Sequence, residues 1–331
     1  PTTSLAFENY PRAVQLSDGH IIVTDVFGNH PATNNPPNNT PPGLSWRLSV
    51  PQYQAGTGAI VSTPATVVPE RAYGPMIIAH RLPANGGSDL VLYFGGSQYI
   101  NLNPGSNKLK TVHKSVERFD PTAANGAGAW VAALHDLKTP RFCPNAVLLP
   151  TGDVLVVGGA WNDPVSPSDA GTENLAWIGP VFLPELYRPG IGTSWLAPPN
   201  EGIDPLNVDP LHSFTPRVYH SVAVLLPDGT VLVAGGEELF DIRNYTGIRM
   251  KKSRHTGEVF RPPYYFQAPK PQVISSPDQV ELNSLVEAPE LNSQFEIVLN
   301  APSGAQAGDY IDRVLLMRPG AVTHHFDNDQ R

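Results

Sequence analysis

Apolar residues along this chain cluster in short, β-branched runs, and the three-and-four spacing of an amphipathic helix is scarce. Four segments repeat one pattern: a polar or aromatic start, an apolar strand, a tight turn, a second apolar strand and a glycine. They are "YPRAVQLSDGHIIVTDVFG" (Tyr10–Gly28), "SDLVLYFGGS" (Ser88–Ser97), "PRFCPNAVLLPTGDVLVVGGA" (Pro140–Ala160) and "PRVYHSVAVLLPDGTVLVAGGE" (Pro216–Glu237). The turns "SDG", "PTG" and "PDG" each supply a glycine able to take the positive φ that a hairpin needs. The second strands "HIIVT", "VLVVGG" and "VLVAGG" are short, and GG closes two of them, as expected of strands that crowd toward a common axis. Each GG is followed by a long connection and then a third strand with an acidic-aromatic ending: "SVERFDP" (Ser115–Pro121), "PELYRP" (Pro184–Pro189) and "GEVFRPPY" (Gly257–Tyr264). Trp130 and Trp195 come after the first two of these.

A strand pair closed by GG, a third strand and a tryptophan form the unit of a kelch-type β-propeller blade. The pattern predicts an all-β chain with about four such blades over residues 1–267. After Tyr264 the text turns Pro-rich in "PKPQVISSPDQVELNS", and then "SQFEIVLNAP" (Ser293–Pro302) and "IDRVLLMRPGAVTHHFDNDQR" (Ile311–Arg331) read as strands. This predicts a truncated C-terminal β-sandwich, immunoglobulin-like, over 268–331. An open arc of blades leaves strand edges exposed at both ends. An N-terminal segment or a second chain is therefore expected to complete the propeller.

Composition narrows the function classes. Pro (36) and Gly (29) are abundant while 40% of residues are hydrophobic, which means many turns between ordered runs. The net charge is −8, and the one basic run, "RMKKSRH" (249–255), reads as a solvated loop, so no nucleic-acid partner is expected. No apolar run approaches the length of a membrane span. The single cysteine, Cys143, excludes an intrachain disulfide. Sequons at Asn38 and Asn244 would accept glycans only in a eukaryotic secreted protein.

Candidate chemistry starts at Tyr219 and His220, adjacent and metal-capable at the mouth of the last hairpin. Alone, such residues are usually hydrogen-bonded strand ends. A second motif lies about a hundred residues on, where Thr323 and His324 precede Asn328, Asp329, Gln330 and Arg331 in "RVLLMRPGAVTHHFDNDQR". The two motifs, in this order, resemble those of the galactose oxidase and glyoxal oxidase group of copper radical oxidases. "GEVFRPPYYF" is similar to the group's strand leading toward the C-terminal domain, and the blade pattern extends the likeness over nearly the whole chain.

The resemblance implies a seven-bladed propeller whose C-terminal β-sandwich sends a loop into the axis, where one mononuclear copper is held. It implies Tyr219 as axial ligand and base, and His220 and His324 as equatorial ligands, with His325 the alternative to His324. Nitrogen and oxygen donors of this kind suit Cu(II). It also implies a fourth ligand, a tyrosine joined to cysteine as the radical cofactor. "RFCP" is similar to the group's cysteine motif, but no blade carrying the linked tyrosine lies between Cys143 and Tyr219. Cys143 is therefore expected as a small inner-strand hydrophobe, and the Cys–Tyr cofactor is not identifiable in this chain. Arg71 and Tyr73, in "PERAYGP", begin a strand where family members place substrate-facing groups, and are candidate substrate-binding residues; a scaffold arginine beside a strand is the other reading of Arg71. Asp329 and Arg331 are expected to stabilise the C-terminal loop.

The expected function is a glyoxal oxidase-like copper radical oxidase, of which this chain is the C-terminal part. It would act on small alcohols, aldehydes or sugars with O2, release H2O2, and be secreted or in the cell envelope. The alternative is a non-catalytic kelch-type propeller that binds glycans or serves assembly. Metal-dependent hydrolysis would want carboxylates near the histidines, and only Asp327 and Asp329 stand there.

Overall fold

The computed structural model describes residues 11–24, 45–50, 54–56, 60–64, 66–68, 71, 73–79, 89–103, 106–161, 181–195, 215, 217–241, 249–266, 272–277, 296–300, 314–315, 317, 320–323 and 326–327. Asn38, Asn244, His324, His325, Asp329 and Arg331 lie outside them. The described elements are almost all strands, and among the described residues no helix is long and apolar enough to cross a membrane.

Four antiparallel sheets follow one another along the chain. The first holds β1 (Arg12–Gln15), β2 (His20–Thr24), β3 (Ser45–Ser49) and β4 (Ile60–Ser62) in that order. The second runs β5 (Met76–Ala79), β6 (Leu90–Phe94), β9 (Val116–Asp120) and β10 (Ala129–Ala132), with a separate hairpin of β7 (Ser97–Asn103) and β8 (Ser106–Val112) inserted after β6. The third runs β11 (Asn145–Leu148), β12 (Val154–Val157), β13 (Glu185–Arg188) and β14 (Gly192–Trp195). The fourth is built on β15 (Tyr219–Leu225) and β16 (Val231–Asp241). The start of β16 pairs with β18 (Gly257–Phe260), and its extension pairs with β17 (Arg249–Ser253). Two further pairs are β19 (Gln272–Ser275) with β20 (Val298–Asn300), and β21 (Val322–Thr323) with β22 (Phe326–Asp327).

Three hairpin turns share one geometry. The residue after the first strand donates its N–H to a carbonyl four positions on, as Leu16 to His20, Leu149 to Asp153 and Leu226 to Thr230. Gly19, Gly152 and Gly229 sit in these turns at φ 83°, 85° and 81°, where a side chain would be strained.

The first strands of successive sheets are neighbours: β1 beside β5, β5 beside β11, β11 beside β15. The sheets therefore stack face to face, and the two sides of a strand serve different cores. Met76 and Ile78 join Val14, Ile22, Phe119 and Trp130 between the first two sheets. Ile77 and Ala79 join Ala146, Leu148, Val154 and Val156 between the second and third. Coverage on both faces is why these strands read as continuous apolar runs without alternation. The fourth sheet differs: β15 and β18 are half-exposed and Val259 is 47% accessible.

An ion pair recurs at the start of three sheets, buried in the first two and with Glu258 31% exposed in the third. Arg71, Arg141 and Arg217, each ahead of a first strand, bind Glu117, Glu185 and Glu258 on the third strands at 2.8, 2.8 and 3.1 Å. Each arginine also donates Nη1–H to the first glycine of its own GG, Gly95, Gly158 or Gly235. The glutamates accept backbone N–H groups from just upstream: Val67 and Val68, Lys138 and Thr139, and Thr215. The buried charges are thus paired and hydrogen-bonded, which burial demands.

The GG pair closes the contact between sheets. Gly96 N–H donates to the Arg141 carbonyl of the next sheet, and Gly159 N–H does the same to Arg217. A Cβ on Gly96 would lie 2.7 Å from the Arg71 carbonyl group, and its φ is 83°. Gly96→Ala is therefore expected to lower the unfolding free energy by about 2–4 kcal/mol, measured by urea denaturation.

The chain divides into two compact units, one of Pro1–Phe260 with Met317–Arg331, the other of Arg261–Leu316. In the sequence the composition shift falls near 267, and everything after it reads as one module; the structure groups the last stretch with the four sheets. The reason is packing: β21 lies against β15, and β22 against β11 and β5. The second unit holds the β19–β20 pair, whose β19 is exposed along its length.

Candidate metal centre

Tyr219 and His220 open β15, two and three residues after the buried Arg217. The Arg217–Glu258 pair thus fixes where this strand begins. His220 takes φ 60°, an uncommon value for a residue with a Cβ. Their rings lie together, with centroids 3.8 Å apart and planes tilted by 33°. His220 is exposed and Tyr219 half-buried.

The neighbouring sheets bring matching positions to the same place. Tyr73, Cys143 and Tyr219 each stand two residues after the repeated arginine. The Tyr73 ring meets Tyr219 edge-to-face at 5.5 Å and 88°, and Phe142 at 5.3 Å and 78°. Tyr73 and Cys143 also have positive φ, 56° and 55°. Three such residues at one end of the stacked sheets mark a site held in an unfavourable backbone state by its surroundings. The floor is apolar: Phe142, Cys143, Ala160 and Val218 are buried, with Tyr73, Val112 and Tyr219 packed on them. Burial pushes the Cys143 thiol well above its ordinary pKa.

Of the residues singled out in the sequence, the structure joins Tyr219, His220 and Tyr73. It places Arg71 elsewhere. Arg71 is buried, and its five N–H donors go to Glu117 twice, to the Gly95 and Ser115 carbonyls, and to Ser115 Oγ. A substrate oxygen would have to displace one of these bonds, so Arg71 acts here as a scaffold guanidinium. His324 lies outside the described residues; Thr323 before it belongs to the strand that lies against β15.

The repeated glutamates were missed in the sequence. Their signal was present, since Glu117, Glu185 and Glu258 each stand just ahead of or within an apolar-aromatic third strand, 46, 44 and 41 residues after an arginine.

Among the described residues no group of three or more His, Cys, Asp or Glu gathers to hold a metal. A phenol and an imidazole are adjacent instead, over an apolar floor and open to solvent. That oxygen and nitrogen pair fits Cu(II) better than it fits a hard, carboxylate-seeking cation.

A family model described as glyoxal oxidase N-terminus matches residues 84–264, more than half of the chain. The chain belongs to the glyoxal oxidase group of copper radical oxidases. It is 30% identical over 234 residues to aldehyde oxidase GLOX of Vitis pseudoreticulata, covering 65% of this chain and 37% of that protein. It is 26% identical over 206 residues to galactose oxidase of Gibberella zeae, covering 61% of this chain and 24% of that one. The match thus spans between 24% and 37% of the length of these curated relatives. In fold it is similar to a fungal alcohol oxidase of the AA5 family solved in complex with copper, with TM-score 0.52, 17% identity, and coverage of 97% of this chain and 65% of that one. For this glyoxal oxidase-group chain, the fold likeness bears on architecture; the named activities are those of the relatives.

Proposed function

We propose that this chain carries the metal-binding end of a copper-dependent oxidase that converts a small alcohol or aldehyde hydrate, with O2, to the carbonyl or acid and H2O2. The observation that carries this is the Tyr219–His220 pair, side by side at the mouth of β15 with the Tyr73 ring against it. Tyr219, His220 and His324 would hold the copper. When bound, copper supplies an acceptor for substrate oxygen and for one of the two electrons. Tyr219, as the phenolate, would take the proton of the substrate hydroxyl, since its ring stands beside that of His220. Tyr73 would form a wall of the substrate pocket, and the apolar floor would pack against the carbon skeleton of the substrate.

The four sheets read as an arc of kelch-type propeller blades, with a β-sandwich in the second unit. The half-exposed face of the fourth sheet supports a further segment or a second chain covering it, and the Cys–Tyr radical cofactor would come from there. A secreted or cell-envelope location goes with this reading.

The test is peroxide release from copper-loaded protein, supplied with its completing segment, on glyoxal-type aldehydes and on galactose. Peroxide with either substrate is expected. Copper retained with no peroxide from any alcohol, aldehyde or sugar would turn the reading toward a non-catalytic glycan-binding or assembly propeller.

A further inference from the structure

The turn that presents Tyr219 and His220 is held by a short chain of hydrogen bonds between two sheets. Ser221 Oγ–H donates to the Val218 carbonyl at 2.8 Å, and Ser221 N–H reaches the same carbonyl at 3.4 Å. Asn145 Nδ2–H, at the start of β11, donates to Ser221 Oγ at 2.9 Å. Asn145 is 2% and Ser221 0% exposed.

A serine hydroxyl has one proton to give. With the Asn145 amide donating into Oγ, that proton is directed at Val218 C=O. The three residues Val218, Tyr219 and His220 are thereby closed into a loop with both ends on Ser221. His220 can keep φ 60° because the loop leaves it no extended alternative. The network is also directional. Asn145 Oδ1 has no hydrogen-bond partner among the described residues, so a flipped amide would take the Ser221 proton for itself and release Val218.

We propose that Ser221 and Asn145 are positioning residues for the ligand pair: the chain from Asn145 through Ser221 to Val218 sets the turn that aims Tyr219 and His220. The role of that turn as a copper site rests on the function proposed above. Neither residue touches the metal. The effect is that of an outer-shell partner, whose loss typically weakens metal affinity about 10–100-fold.

The test compares full-chain wild type with Ser221→Ala and Asn145→Ala by two measurements. Hydrogen exchange of the metal-free proteins reads the 217–222 segment, and titration with Cu(II) alone reads affinity. Ser221→Ala is expected to speed exchange locally, to leave the strands of the second and third sheets as protected as in wild type, and to raise the Cu(II) Kd about 10–100-fold. Asn145→Ala is expected to act in the same direction, and the double variant no worse than the more affected single one, because the bonds act in series. A Ser221→Ala protein with wild-type exchange and wild-type Kd overturns the proposal. Faster exchange with an unchanged Kd overturns it too, since the turn would then be held without aiming the ligands. No Cu(II) binding by wild type itself is a different pattern, and it removes the copper reading before positioning arises. Should Asn145→Ala fail to fold, Ser221→Ala, which deletes one oxygen, still decides.

Discussion

Glu185→Ala is expected to lower the unfolding free energy by about 3–5 kcal/mol, measured by urea denaturation. Glu185 is fully buried on β13 and accepts from Arg141 Nε at 3.1 Å and Arg141 Nη2 at 2.8 Å. It also accepts the N–H groups of Lys138 at 2.6 Å and Thr139 at 3.2 Å. Truncation leaves a guanidinium buried without a counter-charge and two amides without an acceptor. Replacing both partners by apolar residues, Arg141→Met with Glu185→Leu, is expected to recover a large part of the loss, because the penalty comes from the orphaned charge. A loss below about 1 kcal/mol in the single variant would show that this pair does not organise the sheet. The same pairing recurs at Arg71–Glu117 and Arg217–Glu258, so the result bears on how three strand starts are placed.

The second large effect falls on the metal. His220→Ala is expected to weaken Cu(II) binding by more than the 10–100-fold typical of outer-shell changes, because it removes a donor atom. Tyr219→Phe is expected to weaken copper binding less than His220→Ala does and to lose peroxide release, since the phenylalanine ring still packs on Tyr73 and the floor while the phenolic oxygen, both donor and proton acceptor, is gone. Isothermal titration and a peroxide assay on the same preparations separate the two outcomes. Tyr219→Phe with unchanged turnover would place the base elsewhere.

Much of the fold is legible in the sequence where local chemistry dictates it. The glycine turns at Gly19, Gly152 and Gly229 and the GG endings announce three hairpins, and the third strands β9, β13 and β18 follow from their apolar-aromatic text. The misses have physical causes. β3, "SWRLS", carries Trp46 where β9, β13 and β18 carry glutamate, so the repeat is disguised. β5 is followed by a long connection in place of a tight turn, and its four residues are buried on both faces, which removes the alternation that marks a strand. The β7–β8 hairpin and the extension of β16 with β17 mix polar and apolar residues outside the repeated pattern, so the repeat does not announce them.

The site was legible in part for a related reason. The Tyr219–His220 pair stands in one short motif, which sequence displays directly. The Tyr73–Tyr219 contact joins side chains on different sheets and depends on how the sheets stack. The sequence leaves Arg71 between a substrate-facing and a scaffold reading because its partner, Glu117, lies 46 residues away on another strand. A charged residue at a strand mouth reads as solvent-facing until its counter-charge is located. Cys143 is the converse case: a free cysteine with no blade between it and Tyr219 to carry a linked tyrosine is expected as a small buried hydrophobe, and the structure buries it beneath the tyrosines.

The central claim is that Tyr219 and His220 hold a copper ion. Electron paramagnetic resonance of the full chain with one equivalent of Cu(II), recorded for wild type and His220→Ala, tests it most directly. The account predicts a Cu(II) signal with nitrogen hyperfine coupling in wild type, and fewer coupled nitrogens with weaker binding in the variant. Identical spectra and affinities for the two proteins would contradict it.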